Sequence, residues 1–181
     1  HPWVYRDALA HSRNVATVKV AEHSGYNHVA ALWKRLGVGT QPRPYPSIAL
    51  GVFEATPLEI ATAYTIFPNL GTERRLRHVS RVTRSGEDIT KPDTEQPKVI
   101  ARADTTYLVT DMLRSVINEG TGAGARAAGF TLDAGGKTGT TNDLRDAWFV
   151  GFTPELLTVV WVGFDDNQVL GLSGSQAAVP I

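Results

Sequence analysis

Apolar positions along the chain follow two regimes. Through the first two thirds they recur every three or four residues, the period of a helix with one buried face; in the last third they alternate or cluster in short blocks, as strands do. Tyr5 to Ala10 predicts a short helix, which His11-Ser12-Arg13-Asn14 interrupts; Val15 to His23 resumes the pattern and Gly25 ends it. A further helix is expected from about Asn27 to Leu36, with Val29, Leu32, Trp33 and Leu36 on one face and Gly37 as its stop. Gly39 to Pro46 carries three prolines and no apolar period, which predicts a loop. Thr56-Pro57-Leu58-Glu59 holds a complete helix start: a capping hydroxyl, proline at the first helical position and a carboxylate that can reach back. That helix should run to about Phe67, with Gly71 just beyond. Arg75 to Thr83 alternates briefly before a Ser85-Gly86-Glu87 turn, which predicts a small exposed hairpin.

Asp104 to Glu119 predicts the strongest helix. Leu108, Met112 and Val116 form one row, Val109, Leu113 and Ile117 the next, and Gly120 stands as the C-cap. Gly120 to Ala125 predicts a flexible loop, a mobile lip of any nearby cleft. Gly136 to Thr141, Ala147 to Thr153 and Leu157 to Phe164 predict three strands, and the short connections between them imply an antiparallel meander. Trp148 and Trp161 lie on these strands, and at least one is expected in the core. Helices over about 1–125 followed by a sheet over about 134–166 make an α+β architecture, an antiparallel sheet with helices packed on it.

Composition narrows the chemistry. The 181 residues carry 18 basic and 18 acidic side chains, so the whole-chain basic excess of a nucleic-acid binder is missing, and no nucleic-acid partner is expected. The absence of Cys rules out disulfides, thiolate-bound zinc and a thiol nucleophile. The most apolar run, Leu156 to Phe164, is too short to span a bilayer. The chain starts His1-Pro2-Trp3 and stops at Ile181, and both ends read as cut from something longer.

Gly135-Gly136-Lys137-Thr138-Gly139-Thr140-Thr141 is the densest chemical signal. A phosphate-binding loop would need Gly at position 131, which is Thr, and would open a helix rather than a strand. The alternative is a Lys-Thr-Gly edge strand. Gly139 lets a ligand approach the backbone, Lys137 supplies positive potential, the hydroxyls of Thr138 and Thr140 can bind a carboxylate, and the Thr140 N–H can polarise an acyl carbonyl. The same residues also suit a solvated edge strand. Ser12-Arg13-Asn14 likewise reads two ways, as an N-cap for the helix that follows or as a loop presenting a hydroxyl and an amide to a cleft. Asp165-Asp166 fits a turn better than a carboxylate pair, and His23 and His28 lack metal-ligand spacing and read as surface residues.

Ser-x-Asn and Lys-Thr-Gly are two of the three elements of serine acyl-transfer enzymes of the penicillin-binding class; the third is Ser-x-x-Lys. The text around them resembles the transpeptidase domain of bifunctional (class A) penicillin-binding proteins over residues 8–19, 49–64, 110–122, 136–143, 146–154 and 161–166, leaving mainly 72–100 unmatched. The longest matching run opens with Gly136-Lys137-Thr138-Gly139-Thr140-Thr141-Asn142-Asp143 and continues through 146–154 and 161–166. The resemblance implies the serine β-lactamase/penicillin-binding fold, incomplete here. It implies a D,D-transpeptidase that cross-links peptidoglycan stem peptides, is acylated by β-lactams and uses no metal or other cofactor. It places such a protein on the extracytoplasmic face of the bacterial inner membrane. By position, Ser12 resembles the hydroxyl that relays a proton to the leaving group, and Asn14 the amide that holds the substrate's acylamide. Lys137 resembles the cation of the cleft, Thr138 and Thr140 the carboxylate-binding hydroxyls, and the Thr140 N–H an oxyanion donor; Gly139 and Thr141 complete the substrate-binding strand. None of the eight serines has Lys three residues on, so the nucleophile is expected upstream of His1, in the same polypeptide or a second chain. The first strands of the sheet are expected upstream too, leaving residues 157–164 with an unpaired edge. The competing expectation is a non-catalytic module that binds peptidoglycan peptides or a cell-wall partner.

Overall fold

The structure is a computed structural model that describes residues 4–39, 43–92, 94 and 96–181. His1-Pro2-Trp3 and residues 40–42 of the expected proline loop lie outside the described residues. In chain order the helices are α1 (Tyr5–Ala10), α2 (Asn14–Ser24), α3 (Tyr26–Leu36), α4 (Pro57–Tyr64), α5 (Ala103–Asn118), α6 (Gly124–Ala127) and α7 (Gly174–Ala177). The strands are β1 (Thr72–Glu73), β2 (Thr83–Arg84), β3 (Glu87–Asp88), β4 (Lys98–Val99), β5 (Gly135–Thr140), β6 (Ala147–Phe152) and β7 (Leu157–Val162). The architecture is α+β, as the two hydrophobic periods require.

The main sheet is the expected meander, β5-β6-β7, antiparallel throughout, with Lys137 opposite Val150 and Trp148 opposite Trp161. Among the described residues no strand pairs with the outer edge of β7 or of β5. α5 lies against β5, and Leu113, Val116 and Phe152 form the centre of the core, with Leu9, Tyr64, Phe67, Val109 and Leu157 packed around them. Phe67 stacks on Phe152 at 5.7 Å between ring centroids. Full burial of side chains such as Leu113, Val116 and Phe152 stabilises by about 1.5–3 kcal/mol each. Gly136 marks how close that contact is. A Cβ there would lie 3.0 Å from Ile117 Cδ1 and 2.6 Å from the Val150 carbonyl oxygen.

The start of α4 has the full capping box: Glu59 N–H donates to Thr56 Oγ1 at 3.2 Å, and Thr56 N–H donates to Glu59 Oε2 at 2.7 Å. The helix stops at Tyr64, short of Phe67, because the next backbone groups turn: Thr65 Oγ1 donates to the Thr62 carbonyl and accepts from Arg74 N–H. The β2–β3 hairpin is present and exposed, with Ser85 and Gly86 both at positive φ in its turn. Asp165-Asp166 is a turn, and His23 and His28 are exposed.

Four expectations need correction. On α5, Leu108 is 63% exposed, and the buried apolar positions are Leu113, Val116 and Ile117. Neither Trp148 nor Trp161 is fully buried; the two rings lie against each other at 6.3 Å, and Trp161 Nε1 donates to Asp146 Oδ1 at 3.0 Å. Gly120 is not a left-handed C-cap, since Glu119 holds that position. Glycine is required there by close approach, because a Cβ would lie 2.2 Å from the Ala10 carbonyl oxygen. Finally, 120–125 is no open loop. Gly122 and Ala123 N–H groups bond Val116 and Gly120 carbonyls, and the segment runs into α6.

Candidate active site

The site begins where α1 ends. Ser12 N–H donates to the Leu9 carbonyl at 3.1 Å and Arg13 N–H to the Ala8 carbonyl at 2.9 Å. This is the bond pattern of a Schellman cap, which needs a left-handed residue, and Ser12 fills it at φ 52°. Holding a side chain in that conformation costs about 1–2 kcal/mol. α2 starts at Asn14, with Arg13 in the N-cap position and no side-chain cap. Ser12 therefore closes α1 with its backbone, and its side chain does not cap α2. Its exposed hydroxyl instead accepts a hydrogen bond from Lys137 Nζ at 2.8 Å, across 125 residues of sequence. Asn14 stands two residues further on, exposed in the first turn of α2.

Long-range bonds fix the position of that loop. The Arg6 guanidinium binds the Asp111 carboxylate and donates to the Asp111 carbonyl at 3.0 Å and to Ser115 Oγ at 3.2 Å, clamping α1 to α5. The same guanidinium holds the Asp111 carboxyl below the usual carboxylate range. One turn beyond α5, Thr121 N–H donates to the Ala10 carbonyl at 3.0 Å.

Lys137 rises from β5 towards this loop. Besides Ser12, its ammonium donates to the Thr138 carbonyl at 2.9 Å, so one of its three protons remains for a ligand. Among the described residues no carboxylate pairs with it. Desolvation alone lowers its pKa to about 8. A half-buried cation without a counter-ion is costly, and that cost is repaid when an anion arrives. Such perturbed groups cluster at functional sites.

The neighbouring hydroxyls are held unequally. Thr138 is buried, and its Oγ1 lies 2.5 Å from Thr121 Oγ1. Thr140 is exposed, and its Oγ1 accepts from Gly174 N–H at 3.0 Å. Gly139 sits opposite Trp148 with its backbone half-buried. Thr141 serves the turn: its hydroxyl donates to Asp146 Oδ2 at 3.1 Å and accepts from Asp146 N–H at 2.8 Å. Both of these hydroxyl bonds stay within the β5–β6 connection. Sequence reasoning missed Arg6, Asp111, Thr121 and Gly174. Asp111 and Thr121 had a signal, since both lie inside the matching stretch 110–122; Arg6 and Gly174 had none.

Residues 1–181 match the family model described as "Penicillin binding protein transpeptidase domain". The chain is 40% identical over 178 residues to "Penicillin-binding protein 1A" of Aquifex aeolicus, covering 97% of this chain and 24% of that protein. The crystal structure of Penicillin-Binding Protein 1A from Haemophilus influenzae superposes with a TM-score of 0.90 at 26% identity, covering 99% of this chain and 33% of that one. A D,D-transpeptidase domain from Eggerthella lenta shares the fold at a TM-score of 0.78 and 23% identity, over 98% of this chain and 51% of that one. The chain thus spans about a quarter of the length of the curated relatives it matches. With the matching stretches, the fold and the whole-chain family match in agreement, this chain belongs to the penicillin-binding protein transpeptidase family.

Proposed function

We propose that residues 1–181 form the C-terminal part of a transpeptidase domain and supply one wall of a serine acyl-transfer site that cross-links peptidoglycan stem peptides. The observation that carries this reading is the 2.8 Å contact between the Lys137 ammonium, which pairs with no carboxylate among the described residues, and Ser12 Oγ. An upstream segment bearing Ser-x-x-Lys, in the same polypeptide or a partner chain, supplies the nucleophile, and the open edge of β7 is where its strands add to the sheet. The lysine of the same Ser-x-x-Lys segment takes the proton of the imported serine, whose oxygen bonds to the penultimate D-Ala carbonyl carbon; the amide C–N bond breaks, the nitrogen leaves as the amine of the terminal D-Ala, and the lysine returns a proton through Ser12. Because Ser12 Oγ accepts from Lys137, its own proton is free to pass to the departing amine. The Thr140 N–H faces the developing oxyanion, Asn14 holds the acylamide, and Lys137, Thr138 and Thr140 hold the terminal carboxylate. β-Lactams enter the same reaction and stay attached. None of the described helices is long and apolar enough to cross a membrane; the complete protein is assigned to the extracytoplasmic face of the bacterial inner membrane.

Labelled penicillin tests this directly. The complete protein, with its Ser-x-x-Lys segment, should form a covalent adduct, and residues 1–181 alone should form none. No adduct on the complete protein at saturating label would leave a binding module. An adduct on any of the chain's own serines would overturn the assignment of the nucleophile.

A pH profile checks the role of Lys137. Its pKa is depressed to about 8, so the cation is present below that pH and lost above it, whereas an ordinary lysine stays charged to about 10.5. Affinity of the complete protein for a carboxylate-bearing penicillin should fall as pH rises through about 8. Lys137→Arg, which does not deprotonate in this range, should remove the inflection. An inflection that persists in the Arg variant assigns the titration to another group.

A further inference from the structure

We propose that Thr121 is a positioning residue that makes Thr138 a hydrogen-bond donor for the substrate's terminal carboxylate. The inference deepens the transpeptidase reading and rests on it. A hydroxyl has one proton to give and two lone pairs to receive, so its usefulness to an anion depends on which way its proton points. Thr138 is buried, and Thr121 Oγ1 at 2.5 Å is its side-chain partner among the described residues. In that pair either hydroxyl can donate. A carboxylate only accepts, and its arrival next to Lys137 settles the direction: Thr121 gives to Thr138, and Thr138 gives to the anion. Chained hydrogen bonds of this kind polarise one another, strengthening the terminal donor.

Thr140 has the same arrangement with the direction already fixed. Its Oγ1 receives the Gly174 N–H at 3.0 Å, and an amide N–H can only donate, so the Thr140 proton is left for a ligand. The two hydroxyls on β5 are therefore each backed by a donor from outside the Lys-Thr-Gly strand. The scaffold holds Thr121 tightly enough for this task. Its N–H is bonded to the Ala10 carbonyl at 3.0 Å, and the preceding Gly120 packs so closely on that carbonyl that a Cβ would come within 2.2 Å of its oxygen. Ala10 lies two residues before Ser12, so Thr121 joins the loop that carries Ser12 to the strand that carries Lys137.

The test uses the complete protein, a labelled penicillin with its free carboxylate, and the methyl ester of the same compound. Thr121→Val keeps volume and shape but removes the hydroxyl. It should lower the second-order acylation constant for the free acid about five- to tenfold, as expected for one net hydrogen bond, and change that for the ester less than about twofold. Thr121→Ser should restore the acid rate. An equal loss for acid and ester would overturn the proposal in favour of a packing role, as would an undiminished acid rate in Thr121→Val. If Thr121→Val does not fold, a Thr121→Ser variant with the acid-to-ester ratio of the unsubstituted protein supports the proposal, and one with a collapsed ratio overturns it. Failure of the unsubstituted protein to label at all would instead defeat the transpeptidase reading, and this inference with it.

Discussion

Replacing Lys137 with Ala in the complete protein is expected to slow acylation by labelled penicillin on the order of 10³-fold, the upper range for removing a preorganised charge or donor from a transition state. The thermal transition should stay where it is or rise. The reasoning turns on what the ammonium touches. Its partners are the exposed Ser12 hydroxyl and the Thr138 carbonyl, and no carboxylate among the described residues pairs with it. Removing one member of a buried ion pair strands its partner and costs stability. Removing an unpaired cation strands no charge and relieves the desolvation that already pulls its pKa down to about 8. A lysine that served the fold would behave in the opposite way, with a lower midpoint and an acylation rate that followed the folded fraction. A lysine that serves a ligand loses rate at constant or improved stability. Measuring both quantities on the same preparation separates the two, and a drop in midpoint with normal acylation by the folded fraction would make Lys137 structural.

Much of this arrangement was legible in the sequence, and the reasons are local. The Thr56 and Glu59 capping box is a four-residue signal, and every bond it predicts is present. The meander follows from short blocks joined by short connections, and its three strands begin and end within one or two residues of expectation. Missed features depend on partners distant in sequence. The β1–β4 ladder joins Thr72–Glu73 to Lys98–Val99, two residues on each side, too short to show a period. Leu108 fits the helical row but lies on a part of α5 that no described element covers, since periodicity reports a face and not its partner. Gly120 could be recognised as special, yet the reason, an Ala10 carbonyl from another helix, is invisible without the fold. The candidate site divides along the same line. Ser12 and Lys137 were identified by their motifs, while the Arg6–Asp111 clamp that sets the position of α1, and with it the Ser12 loop, carries no motif.

Ser12 offers the sharper separation of fold from chemistry, because its backbone and its hydroxyl make opposite demands. At φ 52° any residue with a Cβ is strained, and glycine is not. Ser12→Ala should therefore leave stability nearly unchanged, and Ser12→Gly should stabilise the α1 cap slightly. Both remove the oxygen that accepts the Lys137 proton at 2.8 Å and, in the proposed reaction, hands its own proton to the departing amine. Loss of a positioned proton donor typically costs 10²–10⁴-fold, so both variants should turn over a D-alanyl peptide on the order of 10²-fold more slowly in the complete protein. The strained conformation is then kept for the sake of the hydroxyl, since glycine would make the better cap. If Ser12→Gly turns over at the full rate, the hydroxyl has no part in the chemistry. Its contact with Lys137 would then be an incidental surface bond. If Ser12→Gly is clearly less stable than Ser12→Ala, the left-handed cap itself is misread, and the position of the loop against β5 would have to be reconsidered.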